Sequence, residues 1–420
     1  MAPSDVHRTI DAVWRIESPR LIAGIARIVR DIGVAEDLAQ DALLAALERW
    51  PEAGVPDNPG AWLMATARHR AIDGFRRDER LERKQQELAR DIELRDSEPD
   101  LAAVIDDDIG DDLLRLVVTC CHPVLSTDAR IALTLRMLGG LTTDEIARAY
   151  LVSEKTLAQR IVRAKRTLAE ARVPFEVPGE DERAERLSSV LEVVYLIFNE
   201  GYSATAGEHW TRPALCEDAL RLGRVLAGLV PAEAEVHGLV ALMEFQASRL
   251  RARVGPSGEP ILLLDQDRGR WDHVLIQRGL AALERAEAAG GGLGTYTLQA
   301  AIAACHATAR TPQDTNWERI AALYDALSQI APSPVVELNR AVALSMAFGP
   351  EEGLELIDEL VDEPSLARYH LLPSVRGDLL EKLGRRDEAR AEFERAASLT
   401  RNERERTLLL DRAAACGRGE

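Results

Sequence analysis

The chain contains 420 residues, of which 46% are apolar and 4% aromatic, and its formal net charge is −18. The apolar content excludes an intrinsically disordered chain, and the length suffices for two to four domains. The negative charge argues against a general nucleic-acid coat, although local charge matters more because salt screens exposed charges beyond about 10 Å. We expect no membrane-spanning helix and no signal peptide, because neither hydrophobic pattern occurs in the sequence.

The composition favours helices. Ala, Leu, Glu and Arg dominate, and few runs alternate in the manner of β-strands. No two cysteines form a Cys-x-x-Cys pair, so a zinc ribbon or a redox motif is not expected, and the pattern is typical of the reducing cytoplasm. The five cysteines are Cys120, Cys121, Cys216, Cys305 and Cys416.

The sequence divides into four segments. We predict a first helical domain over residues 1–95, an acidic linker over 96–112, a second helical domain over 113–173 and a larger helical domain over 184–420. The stretch 91–112 carries ten Asp or Glu residues against one Arg. Such a charge run is typical of a solvated spacer.

Residues 34–50 predict an amphipathic helix in the first domain. The inward side would carry Val34, Leu38, Ala42 and Ala45. The outward side would carry Asp37, Gln40, Asp41 and Glu48. An acidic helix face serves either solvation alone or docking to a basic partner.

A second helix in this domain begins at Asn58, which is a preferred N-cap residue, with Pro59 at the first helical position. From residue 68 to residue 90 there are eight basic and five acidic side chains. Basic residues beside Trp62 and Phe75 suit single-stranded DNA, through phosphate contacts and base stacking. The alternative is that these aromatics are core residues, which we favour for Trp62. The clustered polar residues are Arg68, His69, Asp73, Arg76 and Arg77.

Residues 141–170, LTTDEIARAYLVSEKTLAQRIVRAKRTLAE, predict a helix-turn-helix. Thr142 and Glu145 have the spacing of a capping box, and Ser153 would cap the second helix. The buried face of the first helix would include Ile146, Ala147 and Tyr150. Leu151 occupies a turn position that commonly carries glycine.

The second helix of this motif has one apolar and one polar side. Leu157, Ile161, Ala164 and Leu168 form the apolar stripe. From residue 153 to residue 172 there are six basic and two acidic residues. Long donors opposite a packed stripe suit a DNA recognition helix. The alternative is an ordinary helix pair with a solvated face, but the turn, the caps and the local charge favour DNA binding.

The last domain shows weak internal repetition. EEGLELIDEL (351–360) aligns with DEARAEFERA (387–396) at an offset of 36 residues. In this alignment Gly353 matches Ala389, and Ile357 matches Phe393. Small residues facing a large one are typical of tetratricopeptide helix pairs. A general antiparallel bundle is the alternative.

Three motifs occur in a fixed order: AEDLAQDALLAALERW (35–50), PGAWLMATARHRAIDGFRR (59–77) and the helix-turn-helix ending RIVRAKRTL (160–168). Together they resemble extracytoplasmic-function (ECF) sigma factors of the sigma-70 type, over roughly residues 6–172. The resemblance implies that the first domain binds the clamp helices of core RNA polymerase and melts the −10 promoter element. It also implies that the second domain docks on the polymerase flap and reads the −35 element.

The resemblance transfers roles to matching positions. The polymerase-binding residues would be Asp37, Gln40, Asp41 and Leu44. The residues near the −10 DNA would be Arg68, His69, Asp73, Arg76 and Arg77. The residues at the −35 groove would be Ser153, Lys155, Thr156, Gln159, Arg160 and Arg163. The departures are Leu43 in place of a common phenylalanine, His69 in place of a common asparagine, and Leu151 in the turn.

The C-terminal segment resembles the ECF subgroup that has a tetratricopeptide-like extension. Its motifs are CCHPVLSTDAR (120–130), YLIFNEGYSA (195–204), LLLDQDRGRWD (262–272) and the late repeats. The resemblance implies a regulatory role for this extension, exerted through a protein partner or through direct contacts with the polymerase or the sigma domains.

We expect no enzyme, cofactor or metal site, because no nucleophile–base pair, phosphate loop or metal-ligand constellation is recognisable. Asp265, Asp267 and Asp272 lack the spacing of a calcium loop and suggest a packing or interdomain role. Two other functions remain open. One is a helix-turn-helix regulator that acts without replacing sigma, which the helix at 34–50 argues against. The other is a peptide-binding repeat scaffold.

Overall fold

The computed structural model describes residues 3–73, 109–204, 210–290 and 294–417. Within these ranges the chain is helical, without a strand, and contains one isolated β-bridge between Val254 and Pro260. The predicted all-α class is therefore confirmed. The chain divides into two compact units, Met1–Val193 and Val194–Glu420.

The first unit contains most of the predicted DNA-binding elements. Its helices are α1 (Pro3–Val29), α2 (Ile32–Ala53), α3 (residues 59–73), α4 (Ile109–Cys120), α5 (Thr127–Met137), α6 (Thr143–Ala149), α7 (Glu154–Glu170) and the first part of α8 (Glu180–Tyr202). Because α4 begins at Ile109, the last four residues of the predicted linker are helical. The rest of that linker lies outside the described residues.

Local chemistry sets the ends of α2. The Asp31 carboxylate accepts hydrogen bonds from the backbone amides of Gly33 (2.7 Å) and Val34 (2.9 Å), which satisfies two amides that lack partners within the helix. The helix ends at Gly54, whose φ of 86° favours glycine. Small, fully buried side chains let α1 and α2 approach closely. These are Ala35, Ala39, Ala42 and Ala46.

Helix α8 begins within the first unit and is tied to α4 and α5. The Ser189 hydroxyl donates to the backbone carbonyl of Cys121 at 2.6 Å. Arg130 donates to the Ser189 hydroxyl at 2.5 Å and pairs with Glu192 at 3.0 Å. The first half of α8 is therefore part of the packing of the first unit.

The second unit is also helical. After α8 it contains α9 (Pro213–Leu229), α10 (Ala234–Ser248), α11 (His273–Ala289), α12 (Thr295–Thr308), α13 (Trp317–Ile330), α14 (Pro334–Phe348), α15 (Pro350–Leu360), α16 (Leu371–Lys382), α17 (Arg386–Leu399) and α18 (Glu403–Cys416). Helix α10 packs against α9, α11 and α12 and is buried on most sides. Short 3₁₀ turns connect α10 to α11.

The predicted repetition corresponds to consecutive helix pairs. Helices α14 and α15 pack together, as do α16 and α17. A side chain at Gly377 would begin 2.9 Å from the fully buried ring of Phe393, so the small residue is needed for the close approach. The pairing fits the predicted small-against-large pattern, and the tetratricopeptide class itself stays a prediction.

The cysteines are free thiols, and two of the aspartates near residue 270 cap short helical segments. Four of the five cysteines are buried. The Asp267 carboxylate accepts from the amide of Gly269 (2.9 Å), and Asp272 accepts from Val274 (2.9 Å) and Leu275 (3.1 Å) at the start of α11. No helix in the described ranges is long and apolar enough to cross a membrane.

Candidate nucleic-acid interface

The helix-turn-helix is formed by α6 and α7, and both predicted caps are present. The Glu145 amide donates to the Thr142 hydroxyl at 3.1 Å, while the Glu145 carboxylate accepts from the Thr142 amide at 2.8 Å. The Thr156 amide donates to the Ser153 hydroxyl at 3.1 Å. These bonds satisfy the first amides of each helix and fix where α6 and α7 begin.

The turn between the two helices carries backbone strain. Leu151 has a φ of 52°, which lies in the left-handed region, and its side chain is 57% exposed. The Val152 amide still donates to the Ala147 carbonyl at 3.0 Å, so the helix end is closed. The turn therefore has the geometry that a glycine would adopt more easily.

The buried face of α7 is the predicted apolar stripe. Its buried residues are Leu157, Ile161, Ala164 and Leu168. On α6, Ile146 and Ala147 are buried and Tyr150 is half-buried. The residues predicted for the −35 groove lie on the other side of α7. Ser153, Lys155, Thr156, Gln159 and Arg163 are exposed, and Arg160 is half-buried.

A shallow groove of about 340 Å³ runs between α7 and the segment that precedes α5. Thr156, Gln159, Arg160 and Arg163 contribute to one wall. Arg160 forms a 3.1 Å ion pair with Asp128, a carboxylate that is 68% exposed. Because an exposed ion pair is weak, Arg160 can exchange this partner for a phosphate or a base edge at little cost.

The exposed side of α2 combines acidic and apolar residues. Asp37, Asp41 and Leu44 are exposed, and Gln40 is half-buried, with its amide donating to Glu36 at 2.8 Å. The prediction that Val34 packs inward is wrong, because its side chain is 47% exposed. Of the other three residues predicted to pack inward, Ala42 and Ala45 are buried and Leu38 is half-buried.

Helix α3 starts as predicted, since the Ala61 amide donates to the Asn58 side chain at 3.0 Å. Of the residues predicted near −10 DNA, His69 and Asp73 are exposed and Arg68 is half-buried. The predicted Arg76, Arg77 and Phe75 lie outside the described residues. Trp62 packs with its ring 5.4 Å from that of the buried Trp50 in an edge contact, but it is half-buried and so is not the fully buried core residue that we favoured.

The sequence did not identify Glu36 as important. This residue is 3% exposed, and its carboxylate meets the guanidinium of Arg136 on α5 at 2.6 Å and the ammonium of Lys165 on α7. Burial by itself raises the pKa of this carboxyl, but the charges of Lys165 and Arg136 outweigh burial and lower the pKa. The only available signal was an acidic residue inside the apolar stripe of α2.

Two further ion pairs connect α1 to the later helices of this unit. Arg27 meets Asp112 on α4 at 3.1 Å, and Arg15 meets Glu145 on α6 at 2.6 Å. Together with the Glu36 cluster, they hold α1 and α2 against α4–α7. The first unit is therefore one packed body. Its surface includes an exposed acidic strip on α2 and a donor-rich face on α7.

Comparisons with known families agree with the prediction of two separate sigma regions in the first part of the chain. Residues 14–81 match Sigma-70 region 2, and residues 115–168 match Sigma-70, region 4. Residues 186–287 match a family of unknown function, DUF6596. The predicted tetratricopeptide assignment receives no support from these matches. No solved structure matches the chain.

Curated relatives cover either nearly the whole chain or less than half of it. The chain is 44% identical to the uncharacterized protein R00370 of Rhizobium meliloti over 97% of this chain and 96% of that protein. It is 31% identical to the ECF RNA polymerase sigma factor SigK of Mycobacterium ulcerans, over 36% of this chain and 78% of SigK. It is 26% identical to the probable ECF RNA polymerase sigma factor SigI of Mycobacterium tuberculosis, over 42% and 60% respectively.

Proposed function

Because the chain belongs to the ECF family of sigma factors, we propose that it directs core RNA polymerase to a specific set of promoters and assists their opening. The observation that carries this proposal is the solvent-facing donor surface of α7, held within a Sigma-70 region 4 that follows a region 2. Sigma factors are not enzymes. The polymerase carries out the chemistry, and the sigma subunit contributes binding energy for promoter selection and strand opening.

We assign the −35 contact to α7. Arginine and glutamine side chains form paired hydrogen bonds with guanine and adenine edges, whereas lysine contacts phosphates as a point charge. Gln159 and Arg163 are therefore proposed to read bases, while Lys155 and the cap hydroxyl of Ser153 hold the backbone. Thr156 and Arg160 complete this surface.

We assign the −10 contact to α3 and the residues that follow it. His69 and Asp73 are exposed on one helix, and Arg68 lies one position before His69. Arginines bind phosphates, and polar side chains can pair with the edge of an unstacked base. Opening the duplex costs a few kcal/mol for each flipped base, which these contacts and the polymerase must offset.

We assign the polymerase contact to the exposed side of α2. Asp37 and Asp41 are acidic and exposed, and Leu44 is 55% exposed one turn later. A leucine beside carboxylates suits a basic partner surface with an apolar recess. Asp41 is paired with Arg70 at 3.2 Å, an exposed contact that costs little to exchange. Gln40 lies at the edge of this strip, and the clamp helices are the proposed partner.

We propose that the second unit regulates the first, either through a protein partner or through contacts with polymerase. It has its own buried core, which includes Leu338, Ile357 and Phe393, and it contains most of the match to the family of unknown function, which spans residues 186–287. A core of this size is not needed for the polymerase contact proposed for α2 or for the promoter contacts proposed for α3 and α7. This is the reason for assigning it a separate role.

Transcription with purified core polymerase tests the promoter assignment. The full chain is supplied with a promoter library, and transcript starts are mapped with and without it. Arg163→Ala should lower initiation about tenfold or more at −35-dependent promoters, because a base contact is worth about 1–3 kcal/mol. Arg285→Ala, which removes an exposed arginine of α11, is the matched control and should leave initiation unchanged. Equal effects of both variants would contradict the assignment.

The same material separates the alternatives. Promoter-specific binding in the absence of core polymerase would support a helix-turn-helix regulator instead. A chain that ends after residue 204 retains the α8 contacts of the first unit and removes the rest of the second. Higher activity of this shortened chain would indicate inhibition by the second unit, and lower activity would indicate a requirement for it.

A further inference from the structure

Ion pairs join the two sigma regions of the first unit to each other. Glu36 of α2, within the match to region 2, pairs with Arg136 of α5 at 2.6 Å and with Lys165 of α7. Both cations belong to the match to region 4. Arg15 of α1 pairs with Glu145 of α6 at 2.6 Å and makes the same connection. In this state region 4 is therefore packed against region 2.

The two regions also approach closely at their backbones. A side chain at Gly140, which precedes α6, would begin 3.4 Å from the Cα atom of Arg15 on α1. A side chain at Gly33 on α2 would begin 3.9 Å from the Cβ atom of Lys165 on α7. Such distances are those of packed atoms, and Glu36 is 3% exposed. The packing therefore excludes water from the carboxylate that joins the two regions.

This packing brings the two surfaces proposed for promoter contact close together. The α7 backbone rises about 15 Å from Lys155 to Lys165, and the α2 backbone rises about 8 Å from its ion pair with Lys165 to Asp41. Asp41 meets Arg70, the neighbour of His69 on α3, at 3.2 Å. With the lengths of the paired side chains added, the backbones of Lys155 and Arg70 lie at most about 50 Å apart.

Promoter DNA requires a larger separation. The −10 and −35 elements lie about 25 base pairs apart, so at about 3.4 Å per pair their centres are about 85 Å apart. DNA of this length is stiff, because its persistence length is about 150 base pairs, and a smooth bend of about 90° shortens the distance by only about a tenth. The packed state therefore cannot hold both elements at once.

The surface proposed for the polymerase stays accessible in the packed state. Asp37, Asp41 and Leu44 are exposed. Gln40, at the edge of this strip, donates to the Glu36 carboxylate at 2.8 Å. A partner that takes the Gln40 amide as its own donor removes one of the hydrogen bonds that hold Glu36 in place. Docking on α2 and separation of the two regions are therefore physically linked.

We propose that the Glu36 cluster, formed by Glu36, Arg136 and Lys165, is a latch that holds region 4 against region 2 in the free chain. The latch must open before the first unit can contact the −10 and −35 elements together. Arg136 and Lys165 each keep 20% of their side chains exposed, so water reaches both cations as the regions part. The latch has a purpose only if the first unit recognises promoters, and it rests on that proposed function.

A reversible covalent bond tests the latch. The 3.9 Å between an ideal Cβ at Gly33 and the Cβ of Lys165 lies within the range for a disulfide, about 3.5–4.5 Å. Oxidation of the full chain that carries Gly33→Cys and Lys165→Cys should therefore fix the packed state. With core polymerase, the oxidised double variant should initiate about tenfold less, or lower still, at promoters that have both elements. Reductant should restore initiation.

The single variants Gly33→Cys and Lys165→Cys, oxidised in the same way, control for the native thiols and should not respond to reductant. The latch is overturned if the double variant, with its cross-link verified by mass spectrometry, initiates as well as its reduced form. Absence of the cross-link in the free chain would also overturn it, because the packed state would then be rare. If the wild type and the reduced double variant both fail to initiate, the proposed function itself is wrong.

Glu36→Gln opens the latch without a covalent bond. A closed state weakens apparent affinity in proportion to the fraction of open molecules, so this variant in holoenzyme should occupy the promoter at about a tenfold lower concentration than the wild type. Glu170→Gln, which removes a carboxylate from an exposed ion pair with Arg166 on α7, is the matched control and should behave as the wild type does. An equal or higher concentration requirement in Glu36→Gln would count against the latch.

Discussion

Replacing Glu36 by glutamine should loosen the packing of the first unit. The substitution keeps the size of the side chain and removes its negative charge. Arg136 and Lys165, whose side chains are each 20% exposed, would then face one another without the carboxylate that now lies between them. The uncompensated charges should destabilise the contact that joins α2 to α5 and α7.

The magnitude follows from the burial of the three side chains. Removing one partner of a fully buried ion pair costs about 3–5 kcal/mol. The Glu36 side chain is 4% exposed, but its two partners keep some contact with water, and the glutamine amide can still accept one hydrogen bond. We therefore expect a loss of about 2–3 kcal/mol in the free energy of local opening.

Hydrogen exchange on the full chain measures this loss segment by segment, because a chain with two compact units need not unfold in one step. Amides of α2 and of the second half of α7 should lose protection in Glu36→Gln. Glu48→Gln, on the exposed side of the same helix, is the control and should leave protection unchanged. Equal protection in the wild type and in Glu36→Gln would refute the reasoning that this cluster holds the unit together.

Three further outcomes are expected. The folded-state pKa of Glu36 is lowered from its usual 4.5, so its contribution is fully present above about pH 4.5 and is lost as the pH falls through the folded-state pKa. Protection of α2 should fall on acidification in the wild type and less in Glu36→Gln; parallel curves would contradict this. Leu151→Gly should stabilise the first unit by about 0.5 kcal/mol in denaturant unfolding, because relief of the left-handed strain exceeds the flexibility that glycine adds. A loss of stability would argue against strain. Phe393→Ala should cost about 3–5 kcal/mol, because it leaves a cavity against Gly377. Exchange should rise in α16 and α17 and stay unchanged in α2, and uniform loss across the chain would show that the effect is not local.

Predictions that rest on local chemistry agree with the structure. The caps at Thr142 and Ser153 were predicted from spacing, since a cap involves only residues two or three positions apart. The buried stripe of α7 followed from helical periodicity, which depends on the residues of that helix alone. The start of α3 at Asn58 has the same origin.

Predictions about which face meets which neighbour were less successful. Val34 is apolar and lies on the predicted inner side of α2, yet it is exposed. Glu36 is acidic and is buried, because α5 and α7 bring two cations to its position. The hydrophobic pattern of α2 contains many alanines, and such a pattern defines the direction of a buried stripe only to within about one residue.

The sequence by itself determined the helical class, the order of the two sigma regions and the local geometry of the helix-turn-helix. These features follow from composition, periodicity and short spacings. Only the tertiary structure decided that Glu36 joins three helices and that Arg249 and Arg268 meet around Trp271. The physical reason is that the free energy of a charged side chain depends on the partners and the solvent exclusion around it. Those partners come from parts of the chain that the local pattern does not connect.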